Sequence, residues 1–316
     1  MAEIALERSG LIGQLADLLC EWGAGDREAL EPLLAEQIAR VDDAGLGRFV
    51  DRAQHTGSGW GFHPADPLAR EISRMVMGRV LQPGSELEGS DHLAVARERP
   101  VVFLGNHLSF VDVNVLDALM AAAGYGEVTD TLATLVGPKV FSLPIRRLAS
   151  LCFGTIKLPQ SPSRASDEAV MPPREVARIA REVFRTAADR QLQGDHLLIF
   201  PAGSRSRSGA MQRSLAAVSR YCQQPDALVL PFGLTGCEKL VPLGEDHVYT
   251  ARVGVKLGAP IAAATVFERC GKKRQLVVDT LSFLIADVLP SEYRGVYDGN
   301  DGELVAARAI ATELRH

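Results

Sequence analysis

From about residue 81, short apolar runs alternate with longer stretches whose apolar residues recur at helical spacing. Few folds tolerate such a pattern. Runs of roughly four to eight apolar residues between turn formers read as buried strands, and longer periodic segments read as helices. Strands are predicted at Val101–Gly105, Thr131–Val136, Cys152–Leu158, Leu197–Phe200, Leu228–Leu234 and Ala251–Leu257, with helices near 112–123, 139–150, 174–191, 210–222 and 275–288. Strands separated by helix-length connections must mostly run parallel, so the expected class is α/β: a mixed, mostly parallel sheet flanked by helices. The Ser- and Pro-rich stretch Gln160–Pro173 reads as a loop.

The first eighty residues have a different texture. Leu11, Ile12, Leu15, Leu18, Leu19 and Trp22 share a helical face, as do Leu30, Leu33, Leu34 and Ile38. A loop, His55–Ala65, follows. Asp66 then offers an N-cap and Pro67 a first helical position for a helix carrying Leu68, Ile72, Met75, Val76 and Val80. The first helix has Asp17 and Glu21 on its polar face and only Arg8 as a cation, so packing in a bundle suits it better than lying on anionic lipid. The expected division is a small N-terminal helical domain, 1–80, and an α/β domain, 81–316.

Charge and cysteine usage exclude several classes. With 34 Lys+Arg against 39 Asp+Glu the net charge is −5, the wrong sign for a general nucleic-acid binder. The five cysteines are widely spaced without a C-x-x-C, which fits reduced thiols of a cytoplasmic protein. No leader-like or membrane-spanning run is present, so the expectation is a cytoplasmic protein, compatible with peripheral membrane contact. His55, His63, His92, His196, His247 and His316 show no metal-ligand spacing, and no metal or cofactor is expected.

Two segments carry chemistry. The first is Gly105-Asn-His-Leu-Ser-Phe-Val-Asp112, directly after an apolar strand. It puts His107 at the carboxyl edge of the sheet, where open α/β sheets bind ligands. Asp112 begins the next helix and can reach back to accept Nδ1–H, leaving Nε2 to take a proton from an alcohol. The spacing alone equally allows a structural histidine bonded within a turn. The second is Phe200-Pro-Ala-Gly-Ser-Arg-Ser-Arg-Ser-Gly209. Its small residues let backbone N–H groups approach an anion, and Arg205 and Arg207 can fork onto phosphate oxygens. The alternative is a surface turn with solvated arginines.

Together and in this order, the two segments resemble the glycerolipid acyltransferases, the glycerol-3-phosphate and 1-acylglycerol-3-phosphate O-acyltransferases. Asn106-His-Leu-Ser-Phe-Val-Asp112 is similar to that family's N-H-x-S-x-x-D block, and Phe200-Pro-Ala-Gly-Ser-Arg-Ser-Arg207 to its F-P-E-G-T-R-S-R block. Val229–Gly236 and Cys152–Leu158 fall where two further blocks belong, so the resemblance covers about residues 84–262. It implies transfer of an acyl group from acyl-CoA or acyl carrier protein to a hydroxyl of a glycerol-phosphate or lysophospholipid-like acceptor, phosphorylated or lipidic. His107 would be the general base, Asp112 its orienting partner, and Ser109 not a nucleophile. Asn106, Ser109, Lys157, Gly203, Ser204, Arg205 and Arg207 become candidate substrate-binding residues, with Arg164 a further cation.

Ala202 stands where the bacterial lysophosphatidate-type block has Glu, and Gln160 near where a second block has Arg. The turn is instead similar to the P-S-G-G-R-D-R of soluble plastid-type glycerol-3-phosphate acyltransferases, which also carry an N-terminal helical domain. Two other classes compete: a non-catalytic lipid- or acyl-donor-binding protein of the same fold, and an acyl-thioester hydrolase. No G-x-S-x-G elbow occurs. Gly137–Phe141 with Pro144-Ile-Arg-Arg147 reads either as part of a donor entrance or as a helix start with a solvated basic end. Lys272-Lys-Arg274 reads as solvated charge, and Pro290–Tyr297 as a turn that closes the domain.

Overall fold

The computed structural model describes residues 8–159, 171–224, 226–299 and 302–315. Gln160, Arg164 and most of the expected Ser/Pro loop lie outside these. Four helices come first, α1 (Arg8–Trp22), α2 (Arg27–Ala39), α3 (Asp43–His55) and α4 (Pro67–Val80), with strand β1 (Gly61–His63) between the last two. Then follow β2 (Glu86–Glu88), β3 (Val101–Gly105), α5 (Asp112–Ala122), α6 (Gly126–Asp130), β4 (Leu132–Val136), α7 (Pro144–Ser150) and β5 (Gly154–Lys157). The second half holds α8 (Pro173–Leu192), β6 (His196–Ile199), β7 (Leu228–Thr235), β8 (Gly254–Leu257), β9 (Ile261–Ala262), α9 (Ala263–Cys270), α10 (Arg274–Asp287), α11 (Ser291–Arg294) and α12 (Val305–Glu313).

The strands form one mixed sheet in the order β1-β5-β4-β6-β3-β7-β8-β2, with β9 also paired to β7. Pairings among β5, β4, β6, β3 and β7 are all parallel, and antiparallel pairs occur only toward the edges, at β1–β5, β7–β8 and β7–β9. The α/β reading therefore holds. Side-chain alternation splits the strands between two layers. On β3, Val101 and Phe103 face a core shared with α1, α2, α4 and α5, whereas Val102 and Leu104 face one built with α8, α9, α10 and α12. Both faces of the central strands are covered, which is why β3 is apolar throughout and β4 is apolar except at the buried Thr134.

The α4 start forms as its sequence dictates: the Asp66 carboxylate accepts from the N–H groups of Leu68 and Ala69 at 3.0 and 3.3 Å, with Pro67 next. Three local expectations need correction. His55–Ala65 is not wholly loop, because Gly61–His63 adds an antiparallel edge strand to β5. The expected helix at 139–150 is a 3₁₀ turn, Pro138–Phe141, followed by α7, since Pro144 cannot donate within a continuous helix. The segment 210–222 is irregular to Leu215 and then a 3₁₀ helix, Ala216–Cys222.

The helical segment is tied to the sheet by charge as well as packing. Arg74 forks onto Asp117 of α5 at 2.8 and 3.0 Å, with the Asp117 side chain only 2% exposed. Arg70 donates to the Cys152 carbonyl at 2.8 Å. We therefore propose that the division near residue 80 is one of sequence texture and not of independent folding. A fragment of residues 81–316 should aggregate on gel filtration, because the apolar layer that α1, α2 and α4 cover would be exposed. A monomeric, cooperatively folding fragment would contradict this.

A second expectation concerns pH. His196, at the start of β6, accepts the Val101 N–H on Nδ1 at 3.1 Å, and burial pushes its imidazole down to about 4. The unfolded chain binds that proton more readily, so the contribution is full above the ordinary histidine range and is lost as pH falls toward the folded value. Between roughly pH 6.5 and 4 the loss should amount to about 3 kcal/mol in urea titrations. His196→Gln should flatten that acid limb; an unaltered slope would remove His196 as its source.

Candidate active site

β3 lies between two parallel neighbours, with Leu104 opposite Ile199 of β6 and Gly105 opposite Phe232 of β7. Parallel neighbours end at the same sheet edge, so the segments leaving β3 and β6 emerge side by side although they are far apart in the chain. That is how His107 and the arginine-bearing turn meet. The Ser206 N–H donates to the His107 carbonyl at 2.8 Å, and the Phe200 ring stacks on the imidazole at 4.0 Å and 7°.

Asp112 opens α5 and folds back over the preceding turn. Its Oδ2 receives His107 Nδ1 at 2.8 Å and the Leu108 N–H at 2.7 Å, and its Oδ1 the Ser109 N–H at 3.0 Å. The carboxylate is 1% exposed, so these donors replace water. With Asp112 accepting from Nδ1, the neutral ring carries its proton there and Nε2 keeps a free lone pair. One face of the ring is covered by Phe200. The side chain remains 22% accessible. His107 lines a narrow cleft with Gly105, Pro201, Ala202, Ser204 and Met211.

The turn after β6 is held on several sides. Gly203 takes the left-handed conformation at φ 69° and donates to the Phe200 carbonyl at 2.9 Å. Ser206 Oγ donates to the Ala210 carbonyl at 2.7 Å. From the far end of the chain, the Tyr293 carbonyl accepts from Met211 N–H at 2.8 Å and the Met211 carbonyl accepts from Val296 N–H at 3.2 Å. Gly295, at φ 55°, makes that approach possible: a Cβ there would lie 2.1 Å from the Met211 oxygen. Pro290–Tyr297, expected to close the domain, is a brace for this turn.

The candidates separate into groups. His107, Asp112 and the turn carrying Gly203, Ser204, Arg205 and Arg207 are brought together, with Gly203, Ser204 and Arg207 on the surface and Arg205 half-buried. The Arg205 Nη1 is buried with no hydrogen-bond partner. Burial pulls its guanidinium below the ordinary arginine value; Arg146 pulls the same way, while Asp112 and Asp246 pull it back up. The side chains of Asn106 and Ser109 are bonded within the protein, and Asn106 also lines the cleft beside His107. The Asn106 amide continues the sheet past Gly105, donating to the Leu234 carbonyl at 2.9 Å and accepting its N–H at 2.7 Å. Ser109 is fully buried and donates to the Val241 carbonyl at 3.3 Å. Lys157 ends β5, separated from β3 by β4 and β6. Its ammonium donates to the Gly57 carbonyl at 2.5 Å and sits 4.9 Å from the Trp60 ring centre, and burial lowers its pKa. The edge strand that recruits it was invisible in the sequence.

Some neighbours were not anticipated. Phe200 stood in the motif without a role. Arg146 of α7 was weighed as solvated charge or donor entrance; it lies over Phe110 at 5.7 Å and pairs with Asp246, 100 positions away. No local pattern could announce that contact. Among the described residues, no group of three or more His, Cys, Asp or Glu could hold a metal ion, and no helix is long and apolar enough to cross a membrane.

Residues 85–235 match the acyltransferase family. Two chloroplastic 1-acyl-sn-glycerol-3-phosphate acyltransferases are similar to the chain. That of Arabidopsis thaliana is 21% identical over 196 residues, covering 62% of this chain and 48% of the relative. That of Brassica napus is 20% identical over 201 residues, covering 63% and 52%. The chain thus spans about half the length of these curated relatives. Among solved structures, the 1-acyl-sn-glycerophosphate acyltransferase of Thermotoga maritima is similar over 89% of this chain and 96% of its own, with 14% identity and a TM-score of 0.49.

The separation of roles predicts unequal costs. Asn106→Ala leaves the Leu234 N–H and carbonyl buried without partners and should destabilise the protein by about 2–3 kcal/mol, whereas Ser109→Ala should cost about 1 kcal/mol or less. Equal midpoints for Asn106→Ala and wild type in urea would mean that the amide does not anchor β3 to β7.

Proposed function

We propose, on the premise that residues 85–235 belong to the acyltransferase family, that this chain is an O-acyltransferase. It moves an acyl group from a thioester, acyl-CoA or acyl carrier protein, to the hydroxyl of a glycerol-phosphate or lysophospholipid-like acceptor. The observation that supports this most is the union of the His107–Asp112 pair with the arginine-bearing turn, through the bond from Ser206 N–H to the His107 carbonyl. A base for an alcohol and a cationic site for that alcohol's phosphate thereby belong to one rigid edge.

In this reading the acceptor hydroxyl lies against His107 Nε2. As its oxygen attacks the thioester carbonyl carbon, the proton passes to Nε2 and a C–O bond forms. Asp112 stabilises the imidazolium and holds the tautomer. Phe200 presents its negative ring face to the same charge. Collapse of the tetrahedral species breaks the C–S bond, and the departing sulfur takes the proton, leaving ester and free thiol. Arg205, with an unpartnered Nη1, and Arg207 hold the acceptor's phosphate. Ser109 plays no nucleophilic part, being fully buried. Ala202 offers no acceptor for a hydroxyl, so orientation falls to the base and the arginines. We place the chain in the cytoplasm, reaching lipidic acceptors at a membrane face.

The test is thiol release from acyl-CoA or acyl carrier protein, with and without glycerol 3-phosphate or 1-acylglycerol 3-phosphate, with ester detected by mass spectrometry. Release should require the acceptor. Release without one would indicate a hydrolase, and none with any acceptor a binding protein. His107→Ala should lower kcat by roughly 10²-fold or more, with donor binding retained. Arg205→Ala should raise KM for a phosphorylated acceptor roughly 10- to 100-fold.

A further inference from the structure

Arg146 is held in an arrangement that a solvated surface arginine does not need. Its Nε donates to Asp246 Oδ1 at 3.0 Å, and Nη2 points at the same oxygen. Its Nη1 reaches the Lys139 carbonyl and Ser142 Oγ only at 3.4 Å each, long for charge-assisted bonds. The guanidinium lies 5.7 Å from the ring centre of Phe110, within the segment that carries His107 and Asp112. Its side chain is 20% exposed, so much of its hydration has been given up.

Arg205, whose Nη1 is buried without a partner, lies near enough to feel the charges of Arg146, Asp246 and Asp112. With a buried donor unpaired, the two guanidinium groups are short of hydrogen-bond acceptors. Asp246 supplies one, to Arg146. Its side chain is 46% exposed, and it comes from the segment between β7 and β8. Asp112 cannot supply the rest, because its two oxygens already serve His107, Leu108 and Ser109.

We propose that Arg146 and Arg205 form a two-guanidinium clamp for the anionic group of the acceptor, in which Asp246 is the resident anion that the acceptor displaces. This rests on the acyl-transfer reading above and names the groups that would recognise its acceptor. A phosphate brings several oxygens and up to two charges where the Asp246 carboxylate engages Arg146 through one oxygen, and it can satisfy both guanidinium groups. The exposed Asp246 returns to water at little cost. Selectivity for a phosphorylated over an uncharged hydroxyl compound follows, since only an anion can replace Asp246 without leaving two half-buried cations unpaired.

The variants Arg146→Gln, Asp246→Asn and Arg205→Ala of the full chain test this by calorimetric titration with glycerol 3-phosphate, alongside KM and kcat for the same compound. Arg146→Gln should weaken its binding roughly 10-fold or more. Asp246→Asn should tighten it several-fold, because the competing anion is gone. Both effects should appear in KM with kcat little changed, and thermal melts should show all three variants folded. Impairment by Arg205→Ala but not by Arg146→Gln overturns the clamp while the acyl-transfer reading stands. Weakened or unaltered binding in Asp246→Asn overturns the displacement, making Asp246 a positioning residue for Arg146. If wild-type protein transfers acyl groups only to uncharged acceptors and binds no phosphate, the clamp is wrong and the transferase reading survives. If His107→Ala leaves acyl transfer intact, the transferase reading is wrong on separate grounds.

Discussion

The central strand β3, hydrogen-bonded in parallel on both sides, is the constraint on which the rest of the molecule depends. Because β6 runs alongside it in the same direction, the two chain segments that leave the sheet there must share an edge. Because β7 does so on the other side, the Asn106 side chain can continue the ladder one residue beyond Gly105 and fix the direction in which His107 departs. The imidazole is thus positioned by strand pairing, and only secondarily by its own contacts. An error of one residue in the β3–β7 register would turn every β3 side chain to the opposite layer and take the histidine with it.

Local side-chain chemistry completes what the sheet begins. Asp112 satisfies two backbone donors of the Leu108–Ser109 turn while engaging the ring, so the same carboxylate shapes the loop and sets the proton's location. Phe200 supplies a flat wall on the other strand's exit. Arg205 is left as a guanidinium part-removed from water with one donor uncompensated, beside the His107–Asp112 pair.

Much of this could be read before any coordinates. The apolar runs at β3, β4, β6 and β7 stand out because strands buried on both faces are apolar at most positions, and the Gly-Asn-His and Pro-Ala-Gly-Ser-Arg segments are conspicuous for following such runs directly. What escaped reading depends on distance or on packing direction. β1 has three residues and no usable period, so it passed as loop, and with it the reason that Lys157 turns toward Gly57 and Trp60. Asn106 and Ser109 are polar residues in a polar-looking motif, and only the packing shows that each bonds to a backbone group of a distant segment. Arg146 and Asp246 belong to segments with no shared pattern, and each reads by itself as ordinary surface charge.

The brace between Met211 and Tyr293–Val296 gives the molecule a temporal order. The turn bearing Arg205 is complete only when a segment near the carboxyl end docks against it, with Gly295 allowing the close approach. During synthesis, then, the dyad and both flanking strands can emerge from the ribosome well before the brace exists. A nascent or prematurely ended chain would carry the His107–Asp112 pair and the arginine-bearing turn and still lack the contact that braces that turn. The support for the Arg205 turn therefore forms only after residues 291–296 have been made.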